Sequence, residues 1–135
     1  MQVFRAMKAD FRRLPQVGRS GRYLGVRPKH VGSPANLVVW DIPVDEHGCV
    51  HPGTGGMSVA PGTPSNLPKI RRPESFGGDG VDPVFCLETD ELGEHLRFRL
   101  DKPKHGLIEP AKSCTFSEYE DAIYETLQNW EMVDV

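Results

Sequence analysis

Residues 1–8 place Val3, Arg5 and Met7 on one side of an extended chain and Gln2, Phe4 and Ala6 on the other. Such alternation predicts a first β-strand over 1–8. Leu37-Val38-Val39-Trp40 is rich in β-branched residues and reads as a buried strand over 37–41. Asp45-Glu46-His47-Gly48 reads as a hairpin turn, with return through Cys49-Val50. Further strands are predicted at Val84–Leu87, at Leu96–Leu100 (Leu96, Phe98 and Leu100 on one face), and at Gly106–Ile108, stopped by Pro110. Tyr119, Ile123, Leu127 and Trp130 recur at helical spacing. They predict one C-terminal amphipathic helix ending near Trp130, capped by Thr115 or Ser117, with Ser117-x-x-Glu120 fitting a capping box. The sum is an α+β chain read as a single domain over 1–135, without internal repeats.

The long Gly/Pro/Ser/Asn-rich stretch from Gly53 to Pro83 interrupts this pattern. It is too long for an idle connection and predicts a functional or mobile loop. Glycine and proline number 14 and 12 in 135 residues, and the net charge is -3. Nothing in that balance favours nucleic acid or an anionic membrane as a partner. No apolar run approaches the ~20 residues of a membrane span. Met1-Gln2-Val3-Phe4-Arg5 lacks a signal-peptide core, so the expectation is a cytoplasmic protein or one exported without a cleaved signal. Cys49, Cys86 and Cys114 show no Cys-x-x-Cys spacing and read as reduced thiols.

Candidate chemistry gathers around few positions. In Gly53-Thr54-Gly55-Gly56-Met57-Ser58 the glycines let a ligand approach the main chain, and Ser58 can offer a hydroxyl to a sugar or phosphate. His105 stands at a strand mouth after a turn, where an imidazole can orient a hydroxyl or exchange a proton near neutral pH; as a surface histidine it would do neither. Arg71-Arg72 and the arginines between 12 and 27 could steer a phosphate, or simply solvate their loops. Glu88, Asp90, Glu91 and Glu94 could supply a carboxylate pair for acid/base work, but read first as an exposed acidic turn. His47-x-Cys49-x-His51 has the donor types for zinc or copper but flanks a turn and lacks a fourth ligand, so no metal is assigned.

Three segments together carry a resemblance. Val3-Phe4-Arg5-Ala6, Gly55-Gly56-Met57-Ser58-Val59, and His105-x-x-Ile108-x-Pro110-Ala111-Lys112 followed by the helix resemble the Tse2 family of type VI secretion exported effectors, which are antibacterial toxins. That family has a Tyr-Arg-Ala opening, a Thr-Gly-Gly-Thr-Ser loop and a His-Tyr-x-Ile-x-Pro-Ala-Lys segment. The resemblance implies an ADP-ribosyltransferase-like fold, with a split antiparallel sheet around a cleft for NAD. It implies NAD-dependent toxicity in the cytoplasm of a target cell and neutralisation by a cognate immunity protein. Carried over residue by residue, it puts Ser58 and His105 in catalytic positions and Arg5, Gly55 and Gly56 at the NAD. Met57 replaces the family's loop threonine, and no acid stands clearly in the place of the usual transferase glutamate; Glu109 lies near His105. Three functions stay open: an enzyme that cleaves NAD or transfers ADP-ribose, a non-enzymatic toxin or regulator that binds a cytosolic protein, and a plain ligand-binding domain.

Overall fold

Alternation at the N-terminus becomes a central strand because both of its faces find apolar partners. Val3 and Met7 enter the main core, while Phe4 and Ala6 enter a second cluster with Ala60, Leu67 and Val84 on the opposite face. The computed structural model describes residues 1–134. In chain order its strands are β1 (Gln2–Ala6), β2 (Pro28–His30), β3 (Ile42–Val44), β4 (Cys49–Val50), β5 (Met57–Pro61), β6 (Val84–Glu88), β7 (Leu96–Lys102), β8 (His105–Pro110), β9 (Cys114–Thr115) and β10 (Glu131–Met132). Helix α1 (Phe116–Glu125) lies between the last two. The fold is therefore α+β.

The main sheet has six strands in the order β10-β6-β1-β5-β8-β7, every pair antiparallel. Its pairing is uneven. β1 matches β6 at five positions, from Gln2↔Glu88 to Ala6↔Val84. β1 matches β5 only at Val3↔Pro61 and Phe4↔Ala60. The other half of β5 pairs with β8, at Met57↔Ile108, Ser58↔Leu107 and Val59↔Gly106. Strand β5 thus exchanges one neighbour for the other midway, and the sheet is split there.

Helix α1 covers the main core through Phe116, Tyr119, Ala122 and Ile123. Its capping box uses Thr115, not Ser117. The Thr115 hydroxyl accepts from the Glu118 N–H at 3.1 Å, and the Glu118 carboxylate accepts from the Thr115 N–H at 3.0 Å. Glu120, the acid of the alternative box, is instead held by Arg19 at 2.7 and 3.0 Å. The α-helix also ends earlier than Trp130, at Glu125; Leu127–Asn129 form a 3₁₀ turn. Trp130 remains in the core, 1% exposed, its indole N–H donating to the Thr126 hydroxyl.

Two further expectations fail for stated reasons. Leu37–Trp40 is no strand: Val38 is 82% exposed, and no backbone hydrogen bond outside a regular element engages the N–H of Val38, Val39 or Trp40. The crossover joining the parallel strands β2 and β3 runs there, and Ile42–Val44 takes the paired position. β-branched composition favours a strand only where a neighbour exists to pack against. Conversely, the Gly53–Pro83 stretch hides a central strand, β5. The turn at 45–48 is present, with Asp45 N–H bonded to the Cys49 carbonyl, but β4 goes on to pair with β9.

Candidate active site

The split is filled by one side chain. One residue past the last β1–β5 rung, Arg5 is 6% exposed. Its Nη1 donates to the Ser58 carbonyl at 2.7 Å, and Nη2 and Nε donate to the Tyr23 carbonyl at 3.0 and 3.2 Å. Nη2 also reaches the Ser20 carbonyl at 3.4 Å. These acceptors are backbone carbonyls; among the described residues no carboxylate lies within ion-pair distance of Arg5. Burial lowers its pKa to about 10, opposed by the charge of Asp41 and reinforced by Arg27 and Arg71. The guanidinium stays charged at neutral pH, buried and without a counter-ion.

Around it lies a cavity of about 190 Å³. Ser58, Val59 and Ala60 of β5, His105 of β8, and Arg27 and Arg71 from the loops line it with Arg5. Met57 and Val59 are buried in the core, so alternation turns the Ser58 side chain to the opposite face. Among the described residues the Ser58 hydroxyl has no hydrogen-bond partner. Arg27 is already paired with Asp41 at 2.9 and 3.0 Å. Arg71 reaches Asp82 only at 4.0 Å, and that carboxylate is taken by two 2.7 Å bonds from Arg22. No acidic residue of the described chain lines the cavity. Its walls carry a surplus of positive charge that suits an anionic group, with a hydroxyl and an imidazole beside it.

The structure thus brings Arg5, Ser58 and His105 to one cavity. It does not bring Gly55 and Gly56 there. A Cβ on Gly55 would stand 2.3 Å from the Asp41 carbonyl oxygen, and one on Gly56 would stand 2.5 Å from that of Ile108. These glycines let backbone pass backbone, and no ligand is needed to account for them. Met57, which takes the place of the family threonine, points into the core and could offer nothing to the cavity. The Thr54 hydroxyl is spent on the His51 carbonyl at 2.7 Å.

Glu109 is fully buried and fully engaged. Arg97 Nε donates to it at 2.6 Å, Arg99 Nε donates to its other oxygen, and the Gly53 N–H lies 3.3 Å from both. Burial pushes its carboxyl up, but the two arginines and the Gly53 N–H more than offset this and hold it below its ordinary range. It anchors the glycine loop and is not an acid facing the cavity. Of the two histidines near the turn, His47 is exposed. His51 bridges Asp45 through Nε2 and Ser113 through Nδ1, each at 2.7 Å. Asp45 is lowered to about 2, first by the Cys49 N–H and then by His51.

Sequence reading missed two features of this site. Tyr119 sends its hydroxyl between β5 and β8, accepting from the Met57 N–H at 3.3 Å and donating to the Ile108 carbonyl at 2.6 Å. Asp101 holds His105 Nδ1 at 2.6 Å. The only sequence signal for the second is an acid four residues before a histidine across a tight turn.

No curated protein matches the sequence. The profile of the Tse2 ADP-ribosyltransferase toxins matches residues 4–133, which includes the three segments apart from Val3 and every residue lining the cavity. By that match over nearly its whole length, carried on a split-sheet α+β fold, the chain belongs to the Tse2 ADP-ribosyltransferase toxin family.

Proposed function

We propose that the chain is an NAD-consuming toxin, with the cavity at the sheet split as its active site. The observation that carries this is the convergence of Arg5, Ser58 and His105, from three separate strands, on one cavity whose walls hold unbalanced positive charge. At about 190 Å³ the cavity is below the ~300–1,000 Å³ of pockets that enclose whole ligands, and it fits one end of a dinucleotide. Arg5 and Arg71 would meet phosphate oxygens, and Ser58 and His105 would hold the nicotinamide ribose. In the reaction the bond between ribose C1′ and nicotinamide nitrogen breaks, and nicotinamide leaves with the electron pair. A nucleophilic oxygen or nitrogen, from water or a target molecule, bonds to C1′ and loses its proton. The oxocarbenium-like cation between these events needs positioning and electrostatic stabilisation more than a protein nucleophile.

In this reading the toxin reaches a target-cell cytoplasm through type VI secretion without a cleaved signal, and a cognate immunity protein restrains it in the producer. No helix among the described residues is long and apolar enough to cross a membrane. Incubation of the folded protein with NAD should release nicotinamide. Absence of release, together with no calorimetric NAD binding at millimolar concentration, would overturn the assignment.

One observation favours a second reading. With Glu109 buried between Arg97 and Arg99, no carboxylate is left to polarise a nucleophile in the cavity. The chain would then kill by binding a cytosolic protein through a transferase-like fold. Ser58→Ala and His105→Ala separate the two: under the enzymatic reading both abolish growth arrest in a bacterial cytosol, and under the binding reading neither does.

A further inference from the structure

Strands β7 and β8 meet at a tight turn, and their ladder is irregular next to it. Leu100 pairs with Gly106 and Lys102 with His105, so Asp101 is the extra residue of a bulge. A bulge re-aims the side chain it carries. Here it brings Asp101 Oδ1 to 2.6 Å from His105 Nδ1, with the two side chains only 22% and 30% exposed. The other ring nitrogen, Nε2, has no partner among the described residues, and His105 lines the cavity.

We propose that Asp101 is a positioning residue, which fixes His105 in the tautomer with its proton on Nδ1 and a lone pair on Nε2. An ionised carboxylate can only accept, so Nδ1 must be the donor. A neutral ring then has no proton left for Nε2, which becomes an acceptor facing the ligand. The cavity is thereby sorted by hydrogen-bond sense. Arg5 and Arg71 offer only donors and select an anionic, acceptor-rich group. His105 offers an acceptor and selects a hydroxyl. A ligand that satisfies both carries a phosphate and a free sugar hydroxyl, as the ribose phosphate of NAD does. The ligand half of this inference rests on the reading of the cavity as an NAD site; the tautomer half does not.

The two halves are tested separately on the full-length protein. Nitrogen chemical shifts of the His105 ring, assigned by their loss in His105→Gln, are recorded well above the ordinary histidine pKa of about 6.5. The expected result is a protonated Nδ1 and an unprotonated Nε2. Asp101→Asn should weaken this bias, because an amide can turn either its N–H or its oxygen towards Nδ1. Asp101→Ser, which removes the carboxylate with less demand on geometry, should abolish the bias towards Nδ1–H. Nicotinamide release by Asp101→Ser should fall by about tenfold, as the ring loses its fixed acceptor towards a hydroxyl donor. Asp101→Glu, which restores an acceptor, should recover most of it. A wild-type ring protonated on Nε2, or an Asp101→Ser variant with unchanged ring shifts, overturns the proposal. If the wild-type protein releases no nicotinamide, the NAD reading fails while the ring shifts still decide the role of Asp101.

Discussion

Tyr119→Phe removes a single oxygen and should weaken the whole fold by about 2 kcal/mol. The hydroxyl stands between Met57 and Ile108, which face each other in the β5–β8 ladder, and it serves the N–H of one and the carbonyl of the other. Both residues are 1% exposed, so water cannot replace it. Each orphaned group costs about 1–3 kcal/mol, and the phenylalanine gives back a similar amount once, because its ring has no hydroxyl to desolvate. The balance is about 1–3 kcal/mol, or roughly 3–10 °C in melting temperature for a chain of this size. Denaturant titration of wild type and variant measures it directly, with an unchanged m-value confirming the same unfolded reference. The effect should extend to function, since Met57 adjoins Ser58 and its N–H fixes where β5 enters the cavity wall. A loss below about 0.5 kcal/mol would show that the hydroxyl is not a rung of the ladder, and would refute the reasoning.

Three further outcomes follow from the same structure. Gly56→Ala places a methyl group 2.5 Å from the Ile108 carbonyl oxygen and should cost about 1–3 kcal/mol by thermal melt, whether or not a ligand is present; a neutral result would return Gly56 to the list of ligand contacts. Asp45, lowered to about 2 in the folded chain, contributes stability above its unfolded pKa of about 3.9 and loses it as pH falls through about 2. Asp45→Asn should therefore flatten the acid dependence of stability between about pH 4 and 2, and an unaltered acid titration would count against the Asp45–His51 link. Arg5→Met removes the unpaired cation, and calorimetry should show pyrophosphate affinity falling by at least about tenfold. Its effect on stability should be smaller, under about 2 kcal/mol, because loss of the carbonyl bonds is offset by relief of a buried charge; unchanged pyrophosphate binding would refute the anion assignment.

Much of the sheet was legible because alternation and burial agree. β1 and β6 follow their sequence patterns, with apolar positions facing a core on at least one side; in β7 Leu96 and Phe98 do so, whereas Leu100, expected on the same face, is 53% exposed. Leu37–Trp40 and β5 were read the wrong way round because composition is a local signal and pairing is not. Val38 and Val39 have strand-like side chains and no strand beside them. Met57–Pro61, flanked by glycine and proline, pairs on both sides through residues about fifty positions away in either direction. The gathering of Arg5, Ser58 and His105 came from motif resemblance, and no spacing rule would have produced it. Glu109, Asp101 and Tyr119 owe their roles to contacts across the sheet or a bulge, which leave no period in the sequence.

The partner exchange along β5 also decides how the two halves of the sheet are tied together. Only two backbone rungs join β5 to β1. What spans the seam is the Arg5 bond to the Ser58 carbonyl and the packing beneath it, where Val3, Phe85 and Leu87 from one half share a cluster with Met57, Val59 and Ile108 from the other. The width of the cleft is therefore set by the volumes of core side chains together with the reach of the Arg5 guanidinium. A substitution at Leu87 would change the packing under the seam while leaving every group that lines the cavity in place, so side chains that never touch the cavity share in setting its shape.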